Sequence, residues 1–347
     1  MKTYDTLVIG GGQAGLATAY FLRRYKLDYL VLDDQAQTGG SWLGTWDSLK
    51  LFSPAAFSSL PGWAMPQGAA EYPGKAAFIS YLNEYEKRYN FPVQHHTKVL
   101  SVIQENEGFA VATNKGTFYS KTLVSATGTA QHPFIPKYPG QAIFEGEQLH
   151  SSGYKNADNY AHKKVLIVGG GNSGAQILAE VSKVAHTEWV TRKAPRFLPD
   201  DIDGRYLFNE ATSKFLENKA DHPDIKKPSL SEIVMIDSVK EARARGVLHA
   251  KRPFKAFYDK GVIWEDGTKS ACDIVIWCTG FKANLNHLKD LNIINNNRIE
   301  TEYTRAKHIP NLWLVGYGSW TGFASATIYG VGKTARQTVH EIVDYLA

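Results

Sequence analysis

Apolar residues along this chain fall into short runs broken by glycine turns, and two stretches follow the same plan. In the first, Leu7-Val8-Ile9 predicts a strand, Gly10-Gly11-Gly12-Gln13-Ala14-Gly15 a turn, and Leu16 to Tyr25 a helix. Tyr29-Leu30-Val31-Leu32 then predicts a second strand, which stops at Asp33. In the second stretch, Lys164 to Val168, Gly169-Gly170-Gly171-Asn172-Ser173-Gly174, Ala175 to Val184 and Glu188 to Thr191 repeat strand, turn, helix and strand. Between the two, Lys75 to Tyr89 puts Phe78, Tyr81, Leu82 and Tyr85 on one helical face. Strands are expected over 99–103, 109–113, 117–119 and 122–126, the last running into Ala126-Thr127-Gly128. Prolines between Gln131 and Gly140 mark a crossing between domains. Residues 196–252 read as a polar, proline-broken insertion, helical over Ser229 to Arg245, and 261–267 as a strand entering a hairpin. A strand over 273–277 ends at Cys278-Thr279-Gly280. Finally Leu312 to Val315, the turn Gly316-Tyr317-Gly318 and a helix from Thr327 to Tyr345 return to the first unit.

The turns carry the candidate chemistry. Gly10 permits a tight bend, Gly12 lets backbone approach a pyrophosphate, and Gly15 lets helix press on strand, while the helix start at Gln13 and Ala14 offers unpaired N–H groups. Asp33 is placed to accept from a ribose 2′-hydroxyl, so the first site suits FAD or NAD. Gly169, Gly171, Asn172, Ser173 and Gly174 repeat the cradle, but the strand after it ends in Thr191-Arg192-Lys193. A hydroxyl and cations there suit a 2′-phosphate, hence NADPH, with NADH as a substitute; the alternative for Arg192 is an ordinary exposed strand-end residue. The expected fold class is α/β, with two Rossmann-like dinucleotide-binding domains. The first, residues 1–153 and 283–347, is interrupted by the second, residues 154–282. A start of the last helix at Thr327 could face a reduced flavin with its positive end.

The length of 347 residues suits two domains, and 43% hydrophobic with 21% charged residues is ordinary for globular chains. A net charge of +5 is scattered over short clusters, with no basic and aromatic stripe for nucleic acid. No apolar run approaches the roughly eighteen residues of a membrane span. The chain enters its first strand directly, which leads to the expectation of a cytoplasmic protein. Cys272 and Cys278 form neither a disulfide framework nor a C-x-x-C pair, which argues against a dithiol reductase, and the histidines show no metal-ligand spacing.

Phe144-Glu145-Gly146, His150 and Tyr154 match the Phe-x-Gly-x3-His-x3-Tyr motif of the flavin-containing monooxygenases at all four positions, just before the second glycine turn. Gly39-Gly40-Ser41-Trp42, Ala126-Thr127-Gly128 and Cys278-Thr279-Gly280-Phe281 match as well, so the whole chain resembles that family, most closely its small bacterial members. The resemblance implies electron transfer from NADPH to FAD. Reaction with oxygen then gives a C4a-hydroperoxyflavin, which oxygenates a soft heteroatom in a small sulfide or amine. The partners expected are that substrate and oxygen, with a second copy of the chain an option and no nucleic acid or membrane. The resemblance further implies cofactor contacts at Gly40, Ser41, Trp42, Trp46, Phe52, Ser53, Val99, Ala126, Thr127, Gly128, His150, Tyr154, Cys278, Thr279, Gly280, Gly316 and Thr327. His150 is read as fixing the domains relative to one another, and no catalytic side chain is assigned. One departure stands out: Phe52 occupies the place where larger members carry an asparagine that stabilises the oxygenating intermediate, with Ser53 a partial substitute. Slow turnover that leaks peroxide is therefore expected. A flavin reductase or oxidase without oxygen insertion, or a flavoprotein accessory, are the alternatives.

Overall fold

The computed structural model describes residues 2–200, 202, 232–322 and 324–347. Lys226-Lys227 and most of the insertion, 203–231, lie outside the described residues.

The first glycine turn sits between β1 (Thr3–Ile9) and α1 (Gln13–Arg24), and β2 (Tyr29–Leu32) pairs in parallel with β1. All four residues of β2 are buried, as expected of a strand covered on both faces. The helix α2 (Lys75–Tyr89) leads to β3 (Val93–Gln94), which pairs with β2. Next come β4 (Val99–Glu105), β5 (Gly108–Thr113) and β6 (Gly116–Ser125). The two strands expected over 117–126 are one: its first half pairs antiparallel with β5 while Thr122 to Ser125 pair in parallel with β1.

The second sheet contains β7 (Glu147–His150), β8 (Lys164–Val168), β9 (His186–Val190), β10 (Ala250–Lys251) and, after the small antiparallel sheet β11 (Ala256–Tyr258), β12 (Gly261–Ile263) and β13 (Lys269–Ala271), the strand β14 (Ile274–Trp277). Its order is β10-β9-β8-β14-β7, every pair parallel. Helix α3 (Asn172–Val181) follows the second glycine turn, and α4 (Asp237–Ala244) packs beside it. Two sequence expectations are corrected here. Glu147–His150, placed in the first domain by a boundary after residue 153, is the edge strand of the second sheet. The helix expected over 229–245 begins only at Asp237 among the described residues, because 232–236 form a buried extended segment that bridges Phe197.

The chain then returns through β15 (Ile294–Asn295), β16 (Arg298–Ile299), β17 (Thr301–Glu302), β18 (Arg305–Ala306) and β19 (Leu312–Leu314), the last pairing in parallel with β6. Helix α5 (Ile328–Leu346) packs against α1. One core, with Leu16, Phe78, Tyr85 and Val331, fills the helical face of the first sheet; another, with Leu7, Leu123 and Leu288, fills its other face. Each fully buried leucine or valine contributes about 1.5–3 kcal/mol, so these faces fix the sheet's register. No helix among the described residues is long and apolar enough to cross a membrane.

Candidate functional site

The first turn is built by close approach. Gly10 has a left-handed φ of +108°, and a Cβ there would lie 2.7 Å from the Ala126 carbonyl oxygen. A Cβ on Gly15 would lie 1.9 Å from the Gly10 oxygen, so only glycine lets α1 sit this near β1. Helix α1 starts at Gly12 with no side-chain cap and no acid in its first turn, which leaves its N–H groups for an anion. Over this end lies the second expected turn: a Cβ on Gly40, whose φ is +51°, would come 2.8 Å from the Gly12 α-carbon. Trp42 Nε1 donates to Gln13 Oε1 (3.0 Å), and Gln13 Nε2 donates to the Ala326 carbonyl (2.9 Å). The Gln13 side chain therefore ties three loops together, and only its backbone serves the anion site. Gly316, with φ +89°, completes the close packing: a Cβ would lie 2.7 Å from Ala14 Cβ. Ser41 is exposed beside this turn, and Val99 packs partly buried against the core under β1.

Asp33 is 3% exposed at the end of β2. Its pKa is raised, chiefly by burial, against hydrogen bonds from the Gly11 and Gln35 backbone. One carboxylate oxygen, Oδ2, has no hydrogen-bond partner, although His95 Nδ1 lies 3.4 Å away. A buried carboxylate with a spare acceptor, set beside an uncapped helix start, fits the ribose and pyrophosphate of FAD.

The second turn repeats the frame. Gly169 has φ +140°, its carbonyl accepts from Trp189 Nε1 (2.8 Å), and a Cβ on Gly174 would lie 2.2 Å from its oxygen. Helix α3 also starts without a side-chain cap, at Gly171. Thr191 is buried and its Cβ lies close to where a Gly170 side chain would stand (3.3 Å), while Arg192 is exposed. Asn172 is committed elsewhere. Its Oδ1 accepts from the Val234 N–H (2.9 Å) and its Nδ2 donates to the Glu232 carbonyl (3.1 Å), so the side chain pins the return of the insertion. Ser173 stays half-buried at the helix start.

Two crossing segments join the units, touching at the isolated bridge between Pro133 and Phe281. The Phe134 N–H donates to the Gly280 carbonyl (2.9 Å), the Asn284 N–H to that of Gly128 (2.9 Å), and Thr279 Oγ1 to that of Phe134. Gly128 and Gly280 are left-handed, with φ +62° and +82°. His150 is tied into this hinge. Its Nδ1 accepts from the Ser152 N–H (3.1 Å), so Nε2 carries the proton and donates to the Gly280 carbonyl (3.0 Å). Burial lowers its pKa. Both ring nitrogens are occupied, which supports a positional role. At the hinge base, which sequence reasoning missed, Tyr317 and Ser125 share a hydrogen bond (2.6 Å), as do Tyr317 and Thr127 (2.7 Å) and Ser125 and His287 (2.9 Å). Burial takes the pKa of His287 down to about 4, so it stays neutral. The scattered Ser-Thr-Tyr-His identities carry no pattern that sequence spacing could reveal.

The loop after Trp42 departs most from expectation. Trp46 and Tyr154 are in the interior: Trp46 is 8% exposed and Tyr154 fully buried, in one core with Ile167 and Trp189, and Phe52 packs against it. The Tyr154 ring stacks on Tyr160, and its buried hydroxyl stands beside the Glu180 carboxylate; burial and then this acid raise its pKa. Asp47 N–H to the Lys155 carbonyl (2.8 Å) and Ser48 Oγ to Glu180 (2.5 Å) clamp this loop to the second unit. Ser53, expected as a partial substitute for asparagine, is buried with its hydroxyl on Ser58 Oγ (2.9 Å), so it is not free to act. Thr327 caps α5, accepting from the Gly330 N–H (2.9 Å), and so takes one of the donors expected to face the flavin. Burial pushes the thiols of Cys272 and Cys278 up to about 12, which makes both inert as nucleophiles.

Comparison with known proteins gives consistent matches. The family model described as pyridine nucleotide-disulphide oxidoreductase covers residues 7–316. The solved structure of a flavin-containing monooxygenase from Stenotrophomonas maltophilia is 44% identical, with all of both chains covered, and superposes with a TM-score of 0.92. The oxidoreductase CzcO of Bacillus subtilis is 30% identical, covering 98% of this chain and 99% of its own. The indole-3-pyruvate monooxygenase YUCCA4 of Oryza sativa subsp. japonica is 26% identical over 98% of this chain and 87% of its own.

Proposed function

This chain belongs to the pyridine nucleotide-disulphide oxidoreductase family and, within it, to the flavin-containing monooxygenases that use FAD and NADP(H); from that premise we propose that it oxygenates a soft sulfur or nitrogen atom in a small substrate, with part of its reducing power lost as peroxide. When bound, FAD accepts electrons from NADPH and passes them to oxygen. This chain's residues bind, orient and shield. We assign Gly10, Gly12, Gly15, Asp33, Gly40 and the Ala126-Thr127-Gly128 edge to FAD. Gly169, Gly171, Gly174, Thr191 and Arg192 are assigned to NADPH. His150 and the crossing segments set the angle between the two, and hence how the nicotinamide meets the flavin.

The observation that carries the leak is the Phe52-Ser53 pair. Phe52 can neither donate nor accept a hydrogen bond, and the Ser53 hydroxyl is already on Ser58. No side chain at this position holds the asparagine-type contact that larger members use. The same observation favours a second reading, an NADPH oxidase that releases peroxide alone. A mass balance separates them: NADPH consumed, sulfoxide formed from a simple thioether, and peroxide released. We expect both products in wild type, with Phe52→Asn shifting the ratio toward sulfoxide by about threefold or more, roughly the worth of one hydrogen bond. Peroxide without any sulfoxide or N-oxide, from both proteins, would establish the oxidase.

A further inference from the structure

At the carboxyl ends of β9 and β10 three exposed cations stand together. Arg192 and Lys193 leave β9, and Arg252 leaves β10, which runs parallel with Lys251 opposite Val190. The Thr191 N–H donates to the Lys251 carbonyl (3.0 Å), and Arg252 Nη1 donates to the Arg192 carbonyl (2.7 Å). The guanidinium of a residue sixty positions away in sequence is thereby held over the backbone of Arg192.

Neighbouring cations of this unit behave differently. Lys251 pairs with Glu188 (2.6 Å), Arg196 with Glu232 (2.7 Å) and Arg243 with Asp200 (2.5 Å). Among the described residues no carboxylate lies within ion-pair distance of Arg192, Lys193 or Arg252. Among the described residues, acids are thus paired with the surrounding positive side chains and not with these three. The location adds meaning, because ligands of parallel sheets lie at the carboxyl ends of the strands, and the uncapped start of α3 is beside them.

We propose that Arg252 is a second specificity residue for the adenosine 2′-phosphate of NADPH, acting beside Arg192. The proposal rests on the reading of the second turn as the NADPH site. The guanidinium has five N–H donors in a planar fork, and the Arg192 carbonyl takes one, so the others are oriented and available to a phosphate. A lysine could keep the charge but not bond carbonyl and phosphate in a fixed fork. NADH carries no group for this residue to hold, so its loss should act on selectivity.

The test uses the FAD-loaded enzyme and follows anaerobic flavin bleaching over a concentration series of NADPH and of NADH, for wild type, Arg252→Ala, Arg252→Lys and Arg192→Ala. Competition by 2′,5′-ADP against 5′-AMP is measured alongside. For Arg252→Ala we expect the ratio of kcat/KM for NADPH over NADH to fall about tenfold, with the preference for 2′,5′-ADP falling alongside, as for the loss of one charge-assisted hydrogen bond. Arg252→Lys should fall between it and wild type. If Arg252→Ala lowers kcat/KM for both nucleotides in proportion, or changes neither, while Arg192→Ala still lowers the ratio, Arg252 is a brace for the strand end and the proposal is overturned. If Arg192→Ala also leaves the ratio within twofold, the 2′-phosphate reading of this strand end falls, and the proposal with it.

Discussion

The two glycine turns share a skeleton and differ in their cover. In both, the first glycine is left-handed and the last lets a helix press on the first one's carbonyl. Both helices start uncapped. Yet Gly12 is covered by Gly40, 3.6 Å from where its Cβ would stand, whereas no described residue comes within 4 Å of the corresponding point on Gly171. Asp33 is buried beside the first turn, while Arg192 is exposed beside the second. Among the described residues, one cradle thus has a lid of its own chain and a buried acid, and the other has no such lid and carries cations at its edge. The first suits a group that stays, the second a nucleotide that comes and goes.

The strongest way to break this contrast is through the packing glycines. Gly15→Ala and Gly174→Ala each drive a Cβ into backbone, which costs roughly 3 kcal/mol or more at each site. Gly15→Ala should yield protein without bound flavin. Gly174→Ala should keep its yellow colour and lose NADPH-driven bleaching, and absorbance spectra of the purified variants check both. Gly171→Ala is the gentler counterpart. Its Cβ meets no atom of the described residues, so thermal unfolding should move by less than about 0.5 kcal/mol. The apparent affinity for NADPH should still fall several-fold if, as proposed, this turn cradles its pyrophosphate, because the methyl would crowd it.

Asp33 sharpens the contrast from the other side. Burial raises its pKa, so its charge costs stability when nothing occupies the first site. Such a group stabilises the fold below the ordinary carboxylate range and loses that contribution as pH rises through its raised value. Asp33→Asn should therefore melt higher than wild type in the flavin-free protein at pH 7, with the gap closing on acidification, while flavin retention falls about tenfold or more. A paired set of melting curves and flavin dissociation measurements tests both signs. The smallest effect belongs to Tyr154→Phe. Its buried hydroxyl stands beside Glu180, a carboxylate that Ser48 also holds, so removing it should change unfolding by no more than about 1 kcal/mol and leave flavin content intact.

Much of this was legible because it is local. Strand, turn, helix, strand and terminal residue lie within about thirty positions, and each glycine has one steric reason to be there. What was missed depends on distant partners. The run Glu147-Gln148-Leu149-His150 has too little apolar content to announce a strand, and it becomes one because β14 supplies its ladder. Asn172 and Gln13 looked like cradle residues, but their side chains bond to segments sixty and three hundred residues on. Trp46 and Tyr154 form one core across the two units. Arg252 follows a two-residue strand that exists only through its pairing with β9.

The central claim is that two pockets of opposite preference face a shared hinge, a carboxylate holding FAD in one and cations receiving NADPH in the other. Anaerobic titration of the purified yellow protein with NADPH and with NADH tests it most directly. The account expects flavin bleaching by NADPH at lower concentrations than by NADH. A colourless protein that takes up no flavin, or a flavin that NADPH does not bleach, would contradict it.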